Sequence, residues 1–238
     1  MAKYDNQRFR KRLLDLYDLF PFERHPYWQA VHRKELSYEE VLRAEVQHYL
    51  RTKSGQRLRR YALESARGSS PAIFELLLQT YLEECTTDAS GPSHLELIQR
   101  LLLDGGVTKA TMARARNQPG NAAAIALYRD ITYRGAACHM LGAGVVEFFY
   151  SKLAPQVFKD YTSLYGMTAS QAATYALHGP MDATHAERAF AILDEGVRIH
   201  GSLVIENSVR DAFTATSLHY DGMWQAAKRR IEYWDGRS

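Results

Sequence analysis

An all-α fold is predicted by three features of the 238-residue chain. Apolar residues recur at three- and four-residue intervals along nearly its whole length, and strict alternation is scarce. The interruptions fall at glycine, proline and serine clusters, which punctuate helices. The first helix is expected over about 5–20, with Phe9, Leu13, Leu16, Tyr17 and Phe20 facing inward. Pro21 and Pro26 in PFERHPYW end it, because proline donates no backbone hydrogen bond. Ser37 with Glu40 three residues on is a capping-box signal, and a helix follows through SYEEVLRAEVQHYLRT. Another covers about 56–66, and Ser70-Pro71 opens one that runs to Glu84. CTTDASGPS is a loop. HLELIQRLLLDGG resumes the helix and stops at paired glycines. VTKATMARARNQPGN holds a short helical piece and a turn. A long helix is expected over roughly 121–152, followed by APQVFKDYTSLYG. TASQAATYALH then runs into ATHAERAFAILDEG with Gly179-Pro180 inside, and the last helix covers about 202–234. Without repeats or a dividing linker, this reads as one domain over 1–238, built from roughly seven to nine helices.

Composition narrows the classes of function. With 46% hydrophobic residues the chain can build a substantial core, yet it has no apolar run of about 18 residues that would span a membrane. The N-terminal MAKYDNQRFRKRLLDLYDLF lacks an apolar signal core, so a cytoplasmic location is expected. Cys85 and Cys138 belong to no CxxC pair and read as reduced, largely buried thiols. A net charge of +3 is too mild for a nucleic-acid binder, and Arg57, Arg59 and Arg60 read as a solvated helix face.

The strongest chemical signal is His178, Asp182 and His185 in ALHGPMDATHAERA. Offsets of four and seven residues put two imidazoles and a carboxylate on one stripe of a helix, a common way to present metal ligands. Other helices offer more donors. Glu84 ends one, His94 opens the next, and Glu147 stands in the apolar stretch LGAGVVEFFY, where an ionised carboxylate needs a partner. Gly142, Ala143 and Gly144 just before it let a neighbouring backbone approach. Structural roles are open to each donor: Glu84 as a solvated helix end, His94 as a cap, Glu147 paired with Arg134 or Lys152, and Asp182 bonded within its own helix. Together, three carboxylates and three histidines on four helices approach the inventory of a carboxylate-bridged dimetal site, and mixed imidazole and carboxylate donors suit iron or manganese.

In order and spacing, Glu84, His94, Glu147 and His178-x3-Asp182-x2-His185 resemble the heme-oxygenase-like dimetal oxidases and oxygenases, whose fold is shared by the TenA, PqqC and CADD proteins. HPYWQAVHRKELSYEEV is similar to the opening of that fold, TYLEE with SHLELIQRLLLDGGV to its acid-and-histidine segment, and AGVVEFFYSKLAPQVFKDYTSLYG to its third core segment. The resemblance covers roughly residues 20–195. It implies a heme-oxygenase-like helical bundle in which Glu84, His94, Glu147, His178, Asp182 and His185 hold two Fe2+ ions, with O2 as cosubstrate. The loop after Glu84 is longer than in CADD, so Glu83 and Asp88 stay open as the first ligand. CADD's self-consumed tyrosine and lysine correspond to Trp28 and Val157, which argues against that chemistry here.

The resemblance further implies an O2-dependent enzyme acting on a small carboxylate-bearing metabolite. An amino acid or derivative is favoured, oxidised by N-oxygenation, desaturation, C–C cleavage or nitrile formation. Arg188, three residues past His185, and Arg210 are candidates to hold the substrate carboxylate, and Tyr49, Tyr81 and Tyr175 to line the pocket. Val145, Val146, Phe148 and Phe149 are expected to keep the site dry. Mixed manganese and iron, an external reductant and a homodimer are compatible with the family pattern. The competing readings are a TenA-like aminopyrimidine hydrolase using Cys138, a fatty-acid decarboxylase, and a helical binding protein with a vestigial site.

Overall fold

The computed structural model describes residues 5–87 and 91–236. Among them the chain forms eleven α-helices and no β-strand. Helix α1 (Asn6–Asp15) starts on Asp5, whose carboxylate accepts the Arg8 amide, and tightens into a 3-10 turn over Leu16–Leu19. PFERHPYW does more than end it. His25 adopts an extended backbone, its Nδ1 accepts the Tyr27 amide at 3.1 Å, and Pro26 opens the short α2 (Pro26–His32). Proline suits that first position because its missing N–H would have had no partner there.

Helix α3 (Tyr38–Ala66) is one helix of 29 residues where two were expected. Its capping box forms, with the Glu40 amide donating to Ser37 Oγ and the Ser37 amide to Glu40 Oε2 at 2.7 Å. Gly55 stays helical in its middle, since one glycine costs only about 1 kcal/mol against alanine. Helix α4 (Pro71–Cys85) starts on Ser70, and α5 (His94–Asp104) starts on a second capping box, Ser93 with Glu96. The short α6 (Lys109–Arg114) follows.

The helix expected over 121–152 is two, α7 (Pro119–Arg134) and α8 (Ala136–Ser163). Gly135 breaks it at φ +146°, a backbone that a side chain rarely adopts, and a Cβ there would lie 2.5 Å from the His200 ring. Helix α8 continues through Pro155 and absorbs most of APQVFKDYTSLYG. Helix α9 (Ala173–Ala191) carries the His-Asp-His stripe and runs through Pro180. Helices α10 (Leu193–His200) and α11 (Ser202–Lys228) complete the chain. The last helix stops at Arg229, in left-handed backbone, short of the expected 234. These breaks and the short α2 and α6 raise the helix number above the expected one.

Helix α8 packs against α9, α11, α7 and α3. Its approach to α9 depends on missing side chains: a Cβ on Gly144 would sit 2.2 Å from Ala189 Cβ, and one on Gly179 would sit 3.1 Å from Pro155 Cγ. The core between the helices is unusually aromatic, with Phe22, Tyr27, Trp28, Tyr161, Tyr175 and Phe213 fully buried. No helix among the described residues is long and apolar enough to cross a membrane.

Four buried histidines give the fold a pH dependence. Burial lowers His25, His48, His139 and His219 below the ordinary 6.5, His139 to about 3. These imidazoles are neutral in the folded chain but take up protons in the unfolded chain below 6.5. The contribution of these four histidines to stability is therefore complete above that pH and falls as the pH drops below it. Each such histidine is expected to remove up to about 1.4 kcal/mol per pH unit there. Urea unfolding of the metal-free protein at pH 7.5, 6.0 and 5.0 should show this decline; a flat profile would refute it.

Candidate metal centre

Four helices deliver the donors. Helix α4 ends with Glu83 and Glu84 pointing different ways: Glu84 is buried, and Glu83 is partly exposed. The Ser93–Glu96 capping box fixes His94 as the first residue of α5, close enough for its Nδ1 to reach Glu84 Oε2 at 3.1 Å. Glu147 comes from α8, two turns before Pro155. His178, Asp182 and His185 come from α9, and all three are buried.

The six side chains meet. His178 Nε2 lies 3.0 Å from His94 Nδ1 and 3.8 Å from Glu84 Oε1. His185 Nδ1 faces three carboxylates, with Glu147 Oε2 at 3.4 Å, Glu84 Oε1 at 3.9 Å and Asp182 Oδ1 at 4.0 Å. Two donor sets result, Glu84–His94–His178 and Glu84–Asp182–His185, each with one atom per residue within 4.8 Å of the others. Glu84 belongs to both. Glu83 instead accepts from the far side of His185, with Nε2 at 2.9 Å, and takes two hydrogen bonds from Arg188 at 2.6 and 2.8 Å. It thereby fixes the ring so that Nδ1 points inward. Asp88 lies outside the described residues.

The electrostatics of the cluster call for positive charge. Burial, then the nearby Glu147 and Glu84, push the Asp182 carboxyl well above the ordinary range. Its Oδ2 is buried and has no hydrogen-bond partner among the described residues. Burial also raises Glu84, but Arg59 and His94 outweigh it and hold that carboxyl well below its usual value. Burial followed by His94 lowers His178 to about 3, so its imidazole is neutral and has a lone pair to give. An orphaned inward carboxylate oxygen, the neutral His178 imidazole and crowded carboxylates fit divalent cations.

Arg59 supplies a partial answer to this charge from the protein itself, with Nη1 2.9 Å from Glu84 and Nη2 3.2 Å from Glu147. This corrects two expectations. Arg59 is no part of a solvated face, although Arg57 and Arg60 are exposed, and Glu147 pairs with neither Arg134 nor Lys152. Arg134 bonds Asp130 and Asp211, and Lys152 covers Phe148. The signal was present in sequence: Arg51, Gly55 and Arg59, four residues apart, share one face of α3.

A cavity of about 130 Å³ opens from this cluster, with Trp28, His48, Tyr150, Tyr175 and Tyr220 on its wall. Tyr175 is there as expected, but its hydroxyl donates to the fully buried Glu45 at 2.6 Å. Tyr161 donates to the same carboxylate oxygen, and His48 Nδ1 lies 3.1 Å from the other. Neither candidate anchor lines the cavity. Arg188 is spent on Glu83, and Arg210 is half-exposed beside Glu206. The guanidinium groups on the wall are Arg51 and Arg59. Of the four apolar residues expected to dry the site only Val146 lines the cavity; Phe149 stacks on Tyr17 instead. Cys138 is fully buried and does not line the cavity, and burial raises its thiol pKa. The cysteine on the wall is Cys85.

No family model and no curated protein sequence matches the chain. Solved structures do. A CADD-like protein of unknown function from Nostoc punctiforme PCC 73102 superposes with a TM-score of 0.76 at 14% identity, covering 95% of this chain and 99% of that one. A domain with a heme oxygenase-like fold from Shewanella denitrificans OS217 gives 0.73 at 17% identity, over 100% and 99% of the two chains. A TenA family transcription regulator from Silicibacter sp. TM1040 gives 0.65 at 12% identity, over 93% and 95%.

Proposed function

On this heme-oxygenase-like fold, we propose that the protein is a non-heme diiron oxidase or oxygenase acting on a small carboxylate-bearing metabolite, most simply an amino acid or a derivative. The observation that supports the reading is the pair of donor sets that share Glu84. Glu84, His94 and His178 would hold one ion, and Glu84, Asp182 and His185 the other, with Glu147 beside His185 completing the shell. When bound, two ferrous ions supply the electrons for O2 reduction.

The chain's own residues supply the rest. Glu83 and Arg188 fix the His185 ring. Arg59 neutralises part of the charge on Glu84 and Glu147 as the centre fills or empties. Trp28, Tyr175 and Tyr220 on the cavity wall help to exclude water. His48, whose pKa burial lowers, sets its Nδ1 3.1 Å from Glu45 and stands on the cavity wall.

Anaerobic loading with ferrous iron followed by exposure to oxygen tests the proposal. About two iron ions per chain are expected, with oxygen uptake that depends on an added amino acid. Failure to load iron, or oxygen uptake indifferent to every amino acid tried, would overturn it. Loss of an ammonia-releasing activity in Cys138→Ala would point to the hydrolase instead.

A further inference from the structure

Arg51 stands out among the cations of the cavity. Arg59 is committed to Glu84 and Glu147. Arg51 also lines the cavity and makes no ion pair among the described residues; its guanidinium carbon lies 5.3 Å from the Tyr128 ring, and its charge is felt at a distance by Asp182. Its charge still reaches into the interior, where, after burial, it further lowers His48 and His219. A guanidinium on a cavity wall with no carboxylate in ion-pair contact can take one from a guest in bidentate fashion.

One turn further along α3, Gly55 also lines the cavity, and a Cβ built on it meets nothing within 4 Å. Glycine in the middle of a 29-residue helix is a standing cost with no turn or close helix packing to explain it. What it leaves is room beside Arg51. The cavity wall also carries Trp28, Tyr128, Tyr150, Tyr175, Tyr220 and Met223. The volume, about 130 Å³, is of the order of the roughly 150 Å³ that accepts one benzene ring, so the enclosed part of the cavity suits a single ring.

We infer that this cavity binds a single-ring aromatic carboxylate, with Arg51 holding the carboxylate, Gly55 giving the passage, and the aromatic wall enclosing the ring. The inference deepens the oxidase reading by naming its substrate class and rests on that reading for the reaction, but not for the binding. Offset and edge-on ring contacts with the tyrosines favour a flat π-system over an aliphatic body of equal size.

Binding is measured by tryptophan fluorescence and calorimetry on the full chain, metal-free and Mn2+-loaded. The probes are L-phenylalanine, 3-phenylpropionate, 2-phenylethylamine and dodecanoate. Both aromatic carboxylates should bind saturably. 2-Phenylethylamine, which has the ring without the carboxylate, and dodecanoate should each be at least about tenfold weaker. Arg51→Gln should weaken 3-phenylpropionate by about 10- to 100-fold, with Arg51→Lys intermediate, while the Mn2+ stoichiometry stays that of the wild type. Gly55→Leu should block the ring although it favours the helix, so its melting temperature should equal or exceed the wild-type value. Equal binding of the amine and the carboxylate, an unchanged affinity in Arg51→Gln, or no binding in either metal state would overturn the proposal. Metal stoichiometry is read in the same samples, so failure of the diiron reading shows itself separately.

Discussion

Glu84→Ala is expected to empty both ion positions, whereas His94→Ala and His185→Ala should each leave one. The asymmetry follows from geometry: Glu84 belongs to both donor sets, and each histidine to one. Iron analysis after anaerobic loading should therefore read about two per chain for the wild type, about one for either histidine variant and close to none for Glu84→Ala. Stability gives a second readout. An ion bound at a hundred times its dissociation constant stabilises the fold by about 2.7 kcal/mol, so the wild type should melt higher with Fe2+ than without it. Glu84→Ala should show no such rise. Without added metal it should also lose some stability, since Arg59 would keep only Glu147 as a partner. If Glu84→Ala still binds two ions, the shared-carboxylate arrangement is wrong.

Gly144→Ala should damage the protein more than its one added methyl suggests. An alanine in place of glycine inside an exposed helix gains about 1 kcal/mol. Here the new Cβ would lie 2.2 Å from Ala189 Cβ and 3.3 Å from the His185 carbonyl oxygen, and both neighbours are helix α9 itself. The two helices must separate, at a cost of about 1–3 kcal/mol. Glu147 lies three residues after Gly144, and His185 four before Ala189, so the same separation pulls the donors apart. We expect a lower melting temperature together with reduced iron binding. The double variant Gly144→Ala with Ala189→Gly moves the methyl to the other side of the contact and should recover most of both losses. A Gly144→Ala protein as stable as the wild type would show that α8 and α9 are not held this close.

What sequence could and could not tell follows from the range of the interactions involved. The stripe of α9 is legible because helical periodicity alone puts His178, Asp182 and His185 on one side. Glu84, His94 and Glu147 needed the further argument that buried charge requires a partner. The choice between Glu84 and Glu83 was not legible: adjacent residues on a helix differ by a large rotation, and only the packing of α4 decides which one turns inward. Arg59 escaped for a related reason. It stands in a cluster of three arginines, and composition describes a cluster, not the single member that points into the protein. Arg188 showed the reverse error, because closeness in sequence to His185 proved to be closeness to its outer nitrogen. The α7–α8 break lay hidden because Gly135 looks no different in sequence from Gly55, which stays helical.

The placement of His94 has a consequence for how the centre handles its cargo. It is the opening residue of α5, held by the Ser93–Glu96 pair. End turns of helices fray more readily than their middles, and this one includes a ligand. Loss of a single turn would withdraw one imidazole while the stripe on α9 stayed in place, so loading and release would begin at the ion nearest α5. The cap that starts an ordinary helix would then double as the clasp of the metal centre.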